Sequence, residues 1–272
     1  MLCFPNAKIN IGLNIVEKRA DGFHNIETLF YPIPLLDGLE IVESKSKKTY
    51  EFTSSGIPIH INDKDNIVCK AFELLRSRYS IPPTKIHLHK NIPFGAGLGG
   101  GSADAAFMIK MLNELYQLNI PHEEMENLAG QLGSDCPFFI KNQAVFAEGK
   151  GDVFTECKID LSGYFILLVK PDIHIGTPEA YANTTPAIPK QSLKIVSKEP
   201  IKNWKNLIFN DFENSIFPNH PELAEIKYKL YEMGAVYASM SGSGSSLFGL
   251  FKEKPNKPEE WKKHFCWMSK LD

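Results

Sequence analysis

The residues best suited to chemistry form a glycine-rich run at positions 93–103, P-F-G-A-G-L-G-G-G-S-A. Glycines let backbone N–H groups approach an anion, and a helix that begins directly afterwards adds the positive end of its dipole. The run therefore predicts a phosphate-binding loop, with a flexible linker as the alternative. The predicted loop residues are Pro93, Phe94, Gly95, Ala96, Gly97, Leu98, Gly99, Gly100, Gly101, Ser102 and Ala103.

Several kinds of phosphate loop share glycines at this spacing. Gly95, Gly97 and Gly100 satisfy G-x-G-x-x-G, which leaves a dinucleotide-dependent oxidoreductase open. That fold needs an acidic residue about 20 positions on, at the end of the next strand, but residues 119–123 indicate the start of a helix. Gly101 stands where a Walker loop has its lysine, and the H-R-D and D-F-G motifs of protein kinases are absent. A loop without its own lysine needs positive charge from elsewhere in the chain.

Lys8 is the candidate for that positive charge, with Asn10 beside it. Residues 7–16 alternate between apolar and polar types, which predicts a half-buried strand with both side chains on its polar face. A lysine beside an amide suits a phosphate and a substrate hydroxyl together. A solvent-facing lysine on an edge strand is the alternative.

Asp135 is the candidate general base. It lies in G-S-D-C-P, just beyond a predicted helix, where a loop commonly presents side chains to a cleft. A carboxylate there can accept the proton of a hydroxyl that attacks phosphorus. A turn-forming or capping aspartate is the alternative.

Phe23 and His24 follow an Asp-Gly turn. An aromatic ring followed by an imidazole can stack on a nucleobase and hydrogen bond to it, although such a pair also anchors ordinary loops. His87 and His89 alternate on a predicted strand without a third ligand, so no metal site is predicted there. The loop at 241–244 is a second candidate anion site or a tight connection between strands.

The elements that position these residues are mixed. Alternation predicts strands at 7–16, 27–31, 39–43, 50–53, 85–89, 144–147, 164–169, 236–239 and 246–251. Helical periodicity predicts helices at 66–79, 103–116, 123–132, 204–216 and 222–233, with Ser102 as an N-cap and Asp104 favouring the helix dipole. This order predicts an α+β protein in two packed domains, 1–155 and 156–272.

Composition narrows the class of partner. The net charge of −2 over 272 residues, without a basic stripe, argues against nucleic acid and against an RNA-binding module. The longest purely apolar stretch, 165–169, is too short for a bilayer. Five dispersed cysteines and an N-terminus without a secretory pattern predict a cytoplasmic protein with a small-molecule partner. A monomer and a homodimer stay equally open.

Taken together, these motifs resemble the GHMP kinases. Three family motifs occur in order, at 5–13 (P-N-A-K-I-N-I-G-L), 93–103 and 240–248 (M-S-G-S-G-S-S-L-F), and the likeness extends over 6–251. With R-A-D-G-F-H and L-G-S-D-C-P-F-F, the set is most similar to members whose acceptor is a cytidine-diphosphate-linked methylerythritol. The resemblance implies ATP-dependent phosphorylation of its 2-hydroxyl with Mg²⁺, for isoprenoid precursor synthesis. A homoserine, mevalonate or sugar kinase of the same family is the alternative.

The resemblance also implies residue roles. It places Lys8 and Asp135 at the catalytic positions, Asn10 at a substrate contact, and residues 93–103 at the ATP phosphates. The implied cytosine pocket and the adjoining substrate cleft comprise Phe23, in place of the usual tyrosine, His24, Tyr181 and Thr177.

The resemblance implies the two-domain GHMP kinase fold. In that fold an N-terminal domain contains a left-handed βαβ unit, and a C-terminal domain is ferredoxin-like. The left-handed crossover departs from the strong right-handed rule for such units.

Overall fold

A computed structural model describes all 272 residues, which form two compact units. The first unit comprises Met1–Ala7, Leu35–Phe94 and Gly99–Gln143, and the second comprises Lys8–Pro34, Gly95–Leu98 and Ala144–Asp272. Each unit is thus assembled from several stretches of chain. The division into 1–155 and 156–272 stays a prediction about domains.

Twelve strands and nine helices make up the two units. The strands are β1 (Leu2–Cys3), β2 (Asn6–Lys18), β3 (His24–Leu36), β4 (Gly38–Glu43), β5 (Tyr50–Gly56), β6 (Thr84–Lys90), β7 (Val145–Glu148), β8 (Val153–Glu156), β9 (Phe165–Lys170), β10 (Tyr237–Met240), β11 (Leu247–Phe251) and β12 (Phe265–Lys270). The helices are α1 (Ile67–Arg76), α2 (Gly100–Leu115), α3 (His122–Gly130), α4 (Phe138–Lys141), α5 (Thr177–Ala182), α6 (Leu193–Val196), α7 (Ile201–Trp204), α8 (Asp211–Ile216) and α9 (Pro221–Glu232). Short 3₁₀ turns lie at Asp63–Asp65 and Glu259–Lys263.

The first unit is a four-stranded sheet in the order β1-β4-β6-β5, accompanied by α1 and α2, which pack on each other. Strands β5 and β6 are parallel, and α1 lies in the crossover between them, so they form a βαβ unit. Helix α1 begins at a capped end, because the Asn66 side chain accepts a hydrogen bond from Val68 N at 2.9 Å. Its apolar face is buried, including Phe72 and Leu75.

The second unit contains two further four-stranded sheets. One has the order β2-β3-β7-β8, and the other has the order β12-β9-β11-β10 with antiparallel pairs throughout. In the latter, β9 and β10 run parallel with β11 between them, which is the split βαβ arrangement of ferredoxin-like folds. Helix α9 packs on this sheet, burying Ile226 and Leu230 against a core that includes Val169 and Trp261. The predicted α+β class and ferredoxin-like half are confirmed.

Three local predictions were wrong. The strand predicted at 7–16 is buried on both faces rather than one, because β2 carries the side chains of Lys8 and Asn10 inward. The helix predicted at 204–216 is interrupted between α7 and α8, where the Asn210 side chain caps Phe212 N at 3.0 Å. Helix α2 begins at Gly100 rather than beyond Ser102, since the preceding residue has a left-handed backbone with φ of 68°.

Some elements of the fold were not indicated by the sequence. Strand β12, which completes the ferredoxin-like sheet beside β9, was not predicted. None of the helices combines the length and the apolar character that crossing a bilayer requires.

Candidate active site

Strand β2 joins the central part of the glycine-rich loop within the second unit. Lys8 N donates to Leu98 O at 2.9 Å. Lys8 Nζ donates to Asn10 Oδ1 at 2.6 Å and to Gly97 O at 3.2 Å, and it lies 4.8 Å from the centroid of the Phe30 ring. The structure therefore brings together the two predicted polar residues of the first strand and the predicted phosphate loop.

The loop at 241–244 packs against the same part of the phosphate loop. Ser241 Oγ donates to Gly97 O at 2.8 Å and accepts from Asn10 N at 3.2 Å. A Cβ on Gly97 would lie 1.9 Å from Ser241 O, and the residue has a φ of +74°, so only glycine fits there. The 241–244 loop thus packs against the predicted phosphate loop at Gly97.

Asn210 supports that second loop, and sequence reasoning missed it. Its amide nitrogen donates to Met240 O and to Gly242 O, each at 2.8 Å, and the residue is buried. An asparagine ahead of an acidic, partly apolar segment is an N-cap signal, and it would have indicated the start of α8. Nothing in the sequence indicated the two carbonyl groups that it also binds.

The C-terminal end of the phosphate loop opens α2 in the first unit. The first turn of α2 presents backbone N–H groups that have no partner inside the helix, and the helix dipole adds positive charge there. Ser102 lies in this turn. Burial raises the pKa of Cys136 to about 12, so the thiol stays protonated at neutral pH.

Asp135 precedes that thiol in the chain. It is half-buried in the turn between α3 and α4, within the first unit. Asp135 thus lies in a loop just beyond a helix, as the sequence predicted.

Two of the predicted base-binding residues, His24 and Tyr181, form an aromatic cluster with Phe212 in the second unit. The rings of His24 and Tyr181 stack with centroids 4.5 Å apart and an interplanar angle of 14°, and Phe212 meets Tyr181 edge-on at 4.8 Å. Phe23 is 59% exposed, with Lys150 Nζ 5.1 Å from its ring centroid. Thr177 is exposed as the first residue of α5, the helix that carries Tyr181.

The turn that presents Phe23 is held by an exposed ion pair. Arg19 binds Asp21 with NH2 3.0 Å from Oδ2, and Phe23 N donates to Asp21 Oδ1 at 3.1 Å. The hydrogen bond from Arg19 lowers the pKa of the Asp21 carboxyl.

No group of three or more His, Cys, Asp and Glu side chains is arranged to hold a metal ion. On the sheet of the first unit, His87 contacts Thr53 Oγ1 at 2.8 Å, and His87 and His89 each contact Ser55 Oγ at 2.9 Å. These histidines are therefore engaged with hydroxyl groups.

Family models match both halves of the chain. The model for the GHMP kinases N terminal domain matches residues 66–143, and the model for the GHMP kinases C terminal matches residues 192–265. A curated protein of Parabacteroides distasonis is 54% identical over 100% of both chains. The chain belongs to the GHMP kinases.

Relatives within the GHMP kinases agree on one name. The P. distasonis protein and a Bacteroides thetaiotaomicron protein, 51% identical over 100% of both chains, are each called 4-diphosphocytidyl-2-C-methyl-D-erythritol kinase. A solved structure of 4-(cytidine 5'-diphospho)-2C-methyl-D-erythritol kinase superposes with a TM-score of 0.82 at 27% identity, covering 100% of each chain. This chain is a small-molecule kinase with the two-domain GHMP kinase fold.

Proposed function

We propose that this kinase transfers the γ-phosphoryl group of ATP to the 2-hydroxyl of 4-diphosphocytidyl-2-C-methyl-D-erythritol. This places it in the methylerythritol phosphate route to isoprenoid and terpenoid precursors. The observation that carries the proposal is the 54% identity, over the whole chain, to a curated kinase of that name. At such identity over the whole chain the fold is shared.

The phosphate side of the proposed site is the loop at 93–103. Backbone N–H groups of this loop and the first turn of α2 would bind the triphosphate. Gly97 can serve this purpose because its carbonyl is already taken by Lys8 and Ser241, which leaves the other side of the backbone for a ligand. The ATP-binding role of the family supports this assignment.

Lys8, Asn10 and Asp135 are the proposed reacting-centre residues. Lys8 would neutralise charge on the transferring phosphoryl group, and Asn10, which already binds Lys8, would orient the acceptor. Asp135 would orient the 2-hydroxyl and accept its proton. Phosphoryl transfer needs mostly positioning and charge stabilisation, which is what these side chains provide.

Phe23, His24, Tyr181 and Thr177 are the proposed substrate-binding residues at the cytidine end. Stacked aromatic rings offer flat apolar faces to a nucleobase, and an imidazole adds a hydrogen-bonding group. The stacking of His24 on Tyr181 supports a shared role for these two residues.

Mg²⁺ is proposed as the cofactor because phosphoryl-transfer enzymes bind it chiefly through substrate phosphates and one or two carboxylates. A site of that kind does not need a dedicated cluster of protein ligands. The ion would neutralise charge on the β- and γ-phosphates. We also propose a cytoplasmic location, and a monomer or homodimer that works without nucleic acid.

An ADP-release assay tests the proposed function. The purified protein is given Mg-ATP and a panel of acceptors: diphosphocytidyl-methylerythritol, homoserine, mevalonate and galactose. We expect turnover with the first alone and competition by cytidine diphosphate against that acceptor. Turnover with another member of the panel would transfer the assignment to a different GHMP kinase. A melting-temperature shift with NAD(H) but not with ATP would instead support an oxidoreductase.

A further inference from the structure

Three ionisable side chains are buried together in the first unit. Lys90, at the end of β6, is fully buried, and Asp37 and Asp104 are each 1% exposed. Lys90 Nζ donates to Asp104 Oδ2 at 2.9 Å and forms a second ion pair with Asp37 Oδ2. We call these residues the Lys90 cluster. Burying three such groups is costly, so the cluster calls for a reason beyond filling space.

Asp37 connects the cluster to the segment that leads into the phosphate loop. Its second oxygen, Oδ1, accepts hydrogen bonds from Asn91 N at 2.6 Å and from Ile92 N at 2.8 Å. The Asn91 side chain also donates to Leu36 O at 3.2 Å. The Asp37 carboxylate therefore fixes the backbone of residues 91 and 92, directly after β6.

Asp104 and Lys90 connect the cluster to the helix that leaves the loop. Asp104 belongs to α2, and a Cβ on Gly100 would lie 3.2 Å from Lys90 Nζ and 2.7 Å from Ile92 Cγ2. The ammonium group thus lies directly beneath the first residue of α2. It also lies 5.1 Å from the centroid of the Phe94 ring.

The cluster contains two carboxyl groups and only one ammonium group, so it is not a simple ion pair. Burial raises the pKa of Asp104 well above its usual value, against the lowering effect of Lys90. Asp104 Oδ1 is buried without a hydrogen-bond partner. An arrangement kept for stability alone would be served as well by apolar residues of similar volume. Apolar residues could not, however, supply the directional bonds that this cluster makes on both sides of the phosphate loop.

We propose that Asp37, Lys90 and Asp104 are positioning residues that set the geometry of the phosphate loop. The cluster holds residues 91 and 92 on one side and the first turns of α2 on the other. The loop's amides are then already in place when ATP arrives, which lowers the cost of binding it. The link to ATP rests on the proposed function, whereas the ordering of the loop does not.

The test combines amide hydrogen exchange with steady-state kinetics. The main variant is the double substitution Lys90→Met with Asp104→Leu, which replaces two of the three charged groups by apolar ones. Asp37 keeps its two backbone donors but loses its ion pair with Lys90. Asp104→Asn keeps an oxygen for Lys90. Leu75→Ala is the stability control, because it opens a cavity in α1, in the same unit but outside the loop.

We expect the double variant to exchange amides in peptides covering 91–104 at least about 10-fold faster than wild type. We expect its kcat/KM for ATP to fall by about 10- to 100-fold, while KM for the acceptor changes little. Asp104→Asn should stay near wild type in both measurements. Leu75→Ala should lower the melting temperature and leave loop exchange and the KM for ATP unchanged.

Unchanged loop exchange in a folded double variant would overturn the inference, whatever the protein phosphorylates. The inference would also be overturned if Leu75→Ala changed loop exchange and kcat/KM for ATP as much as the double variant does. Both effects would then follow from lower stability alone. If the loop loosens as expected but wild type neither binds nor turns over ATP, the proposed function fails and the positioning role stands.

Discussion

Lys8 is held by oxygen atoms of its own unit before any ligand is present. The carboxamide of Asn10 and the carbonyl of Gly97 both accept its protons, and the Phe30 ring lies against the ammonium group. A buried lysine fixed in this way keeps its charge in one place, so little reorganisation is needed when a phosphate arrives. The second unit thus holds the proposed catalytic cation in position in advance.

Substituting Asp135 tests its proposed role as the acceptor's base. Asp135→Asn retains the size of the side chain but removes the negative charge and the basic oxygen. We expect kcat to fall by about 100-fold or more, with the Kd for ATP within about 2-fold of wild type. Stopped-flow turnover and calorimetric ATP titration measure the two effects. Glu123→Gln makes the same acid-to-amide change at an exposed residue of α3 in the same unit, and serves as a control that should retain turnover. Near-normal kcat in Asp135→Asn would remove this carboxylate from the mechanism.

Tyr181 tests the base-binding cluster. Tyr181→Leu removes the ring stacked on His24, whereas Tyr181→Phe keeps it. Because an aromatic pair contributes about 0.5–1.5 kcal/mol, we expect Tyr181→Leu to raise the KM for the cytidine substrate by about 3- to 10-fold. Tyr181→Phe should remain within about 2-fold, and the KM for ATP should not change in either variant. Equal KM values for the cytidine substrate in both variants would show that the ring does not bind the base.

At the scale of elements, two glycine-rich loops interlock within the second unit. Residues 95–98 and 241–244 contact backbone to backbone, and Asn210 holds the second loop through two carbonyl groups. Strand β2, the start of α8 and the two loops are thereby joined by one network of hydrogen bonds. The position of the phosphate loop is therefore a property of the assembled elements.

Gly97→Ala tests this contact against a matched control. Gly97 and Gly163 both have positive φ, +74° and +82°, but a Cβ at Gly163 meets nothing within 4 Å. Gly163→Ala should therefore cost only about 1–2 kcal/mol of unfolding free energy from its backbone conformation. Gly97→Ala should add the clash with Ser241 O, lowering the melting temperature further and reducing kcat/KM for ATP. The idea fails if thermal melts and kinetics of the two variants agree.

What the sequence predicted at this scale depended on local signals. The glycine run, the Asp135 loop and most strands follow from composition and periodicity over a few residues. The Lys90 cluster did not, because Asp37, Lys90 and Asp104 meet only after β6 and α2 pack. Lys90 occupies a buried position in the alternating pattern of β6, and a charge at such a position was the one available hint. The sequence predicted one helix over 204–216 and missed its interruption, because the apolar spacing was given more weight than the capping signal of Asn210.

For the molecule as a whole, the five free cysteines report on packing. Cys69 and Cys136 are buried, and Cys3, Cys157 and Cys266 are half-buried. Burial raises the pKa values of Cys3, Cys69 and Cys136 to about 12, and it also raises that of Cys266. Since the thiolate is the nucleophile, these thiols are protected both by access and by protonation.

Alkylation measures that protection across both units. With iodoacetamide at pH 8 we expect Cys157 to react first in the folded protein, followed slowly by Cys266. Cys3, Cys69 and Cys136 should react only after unfolding in urea, when all five thiols become available. Peptide mass spectrometry with and without urea gives the order. Fast modification of Cys69 or Cys136 in the folded protein would contradict the packing described for the first unit.

The interleaving of the two units has a consequence for biosynthesis. The first unit is complete in sequence at Gln143, but residues 8–34 of the second must wait for 144–272 to leave the ribosome. At about 5–20 residues per second, that delay is on the order of ten seconds. Until residues 145–156 have been made, the nascent chain carries the apolar side chains of β2 and β3 without β7 and β8, to which that sheet extends. A chaperone that shields this early segment would act on the part of the chain that later presents Lys8, the proposed catalytic lysine.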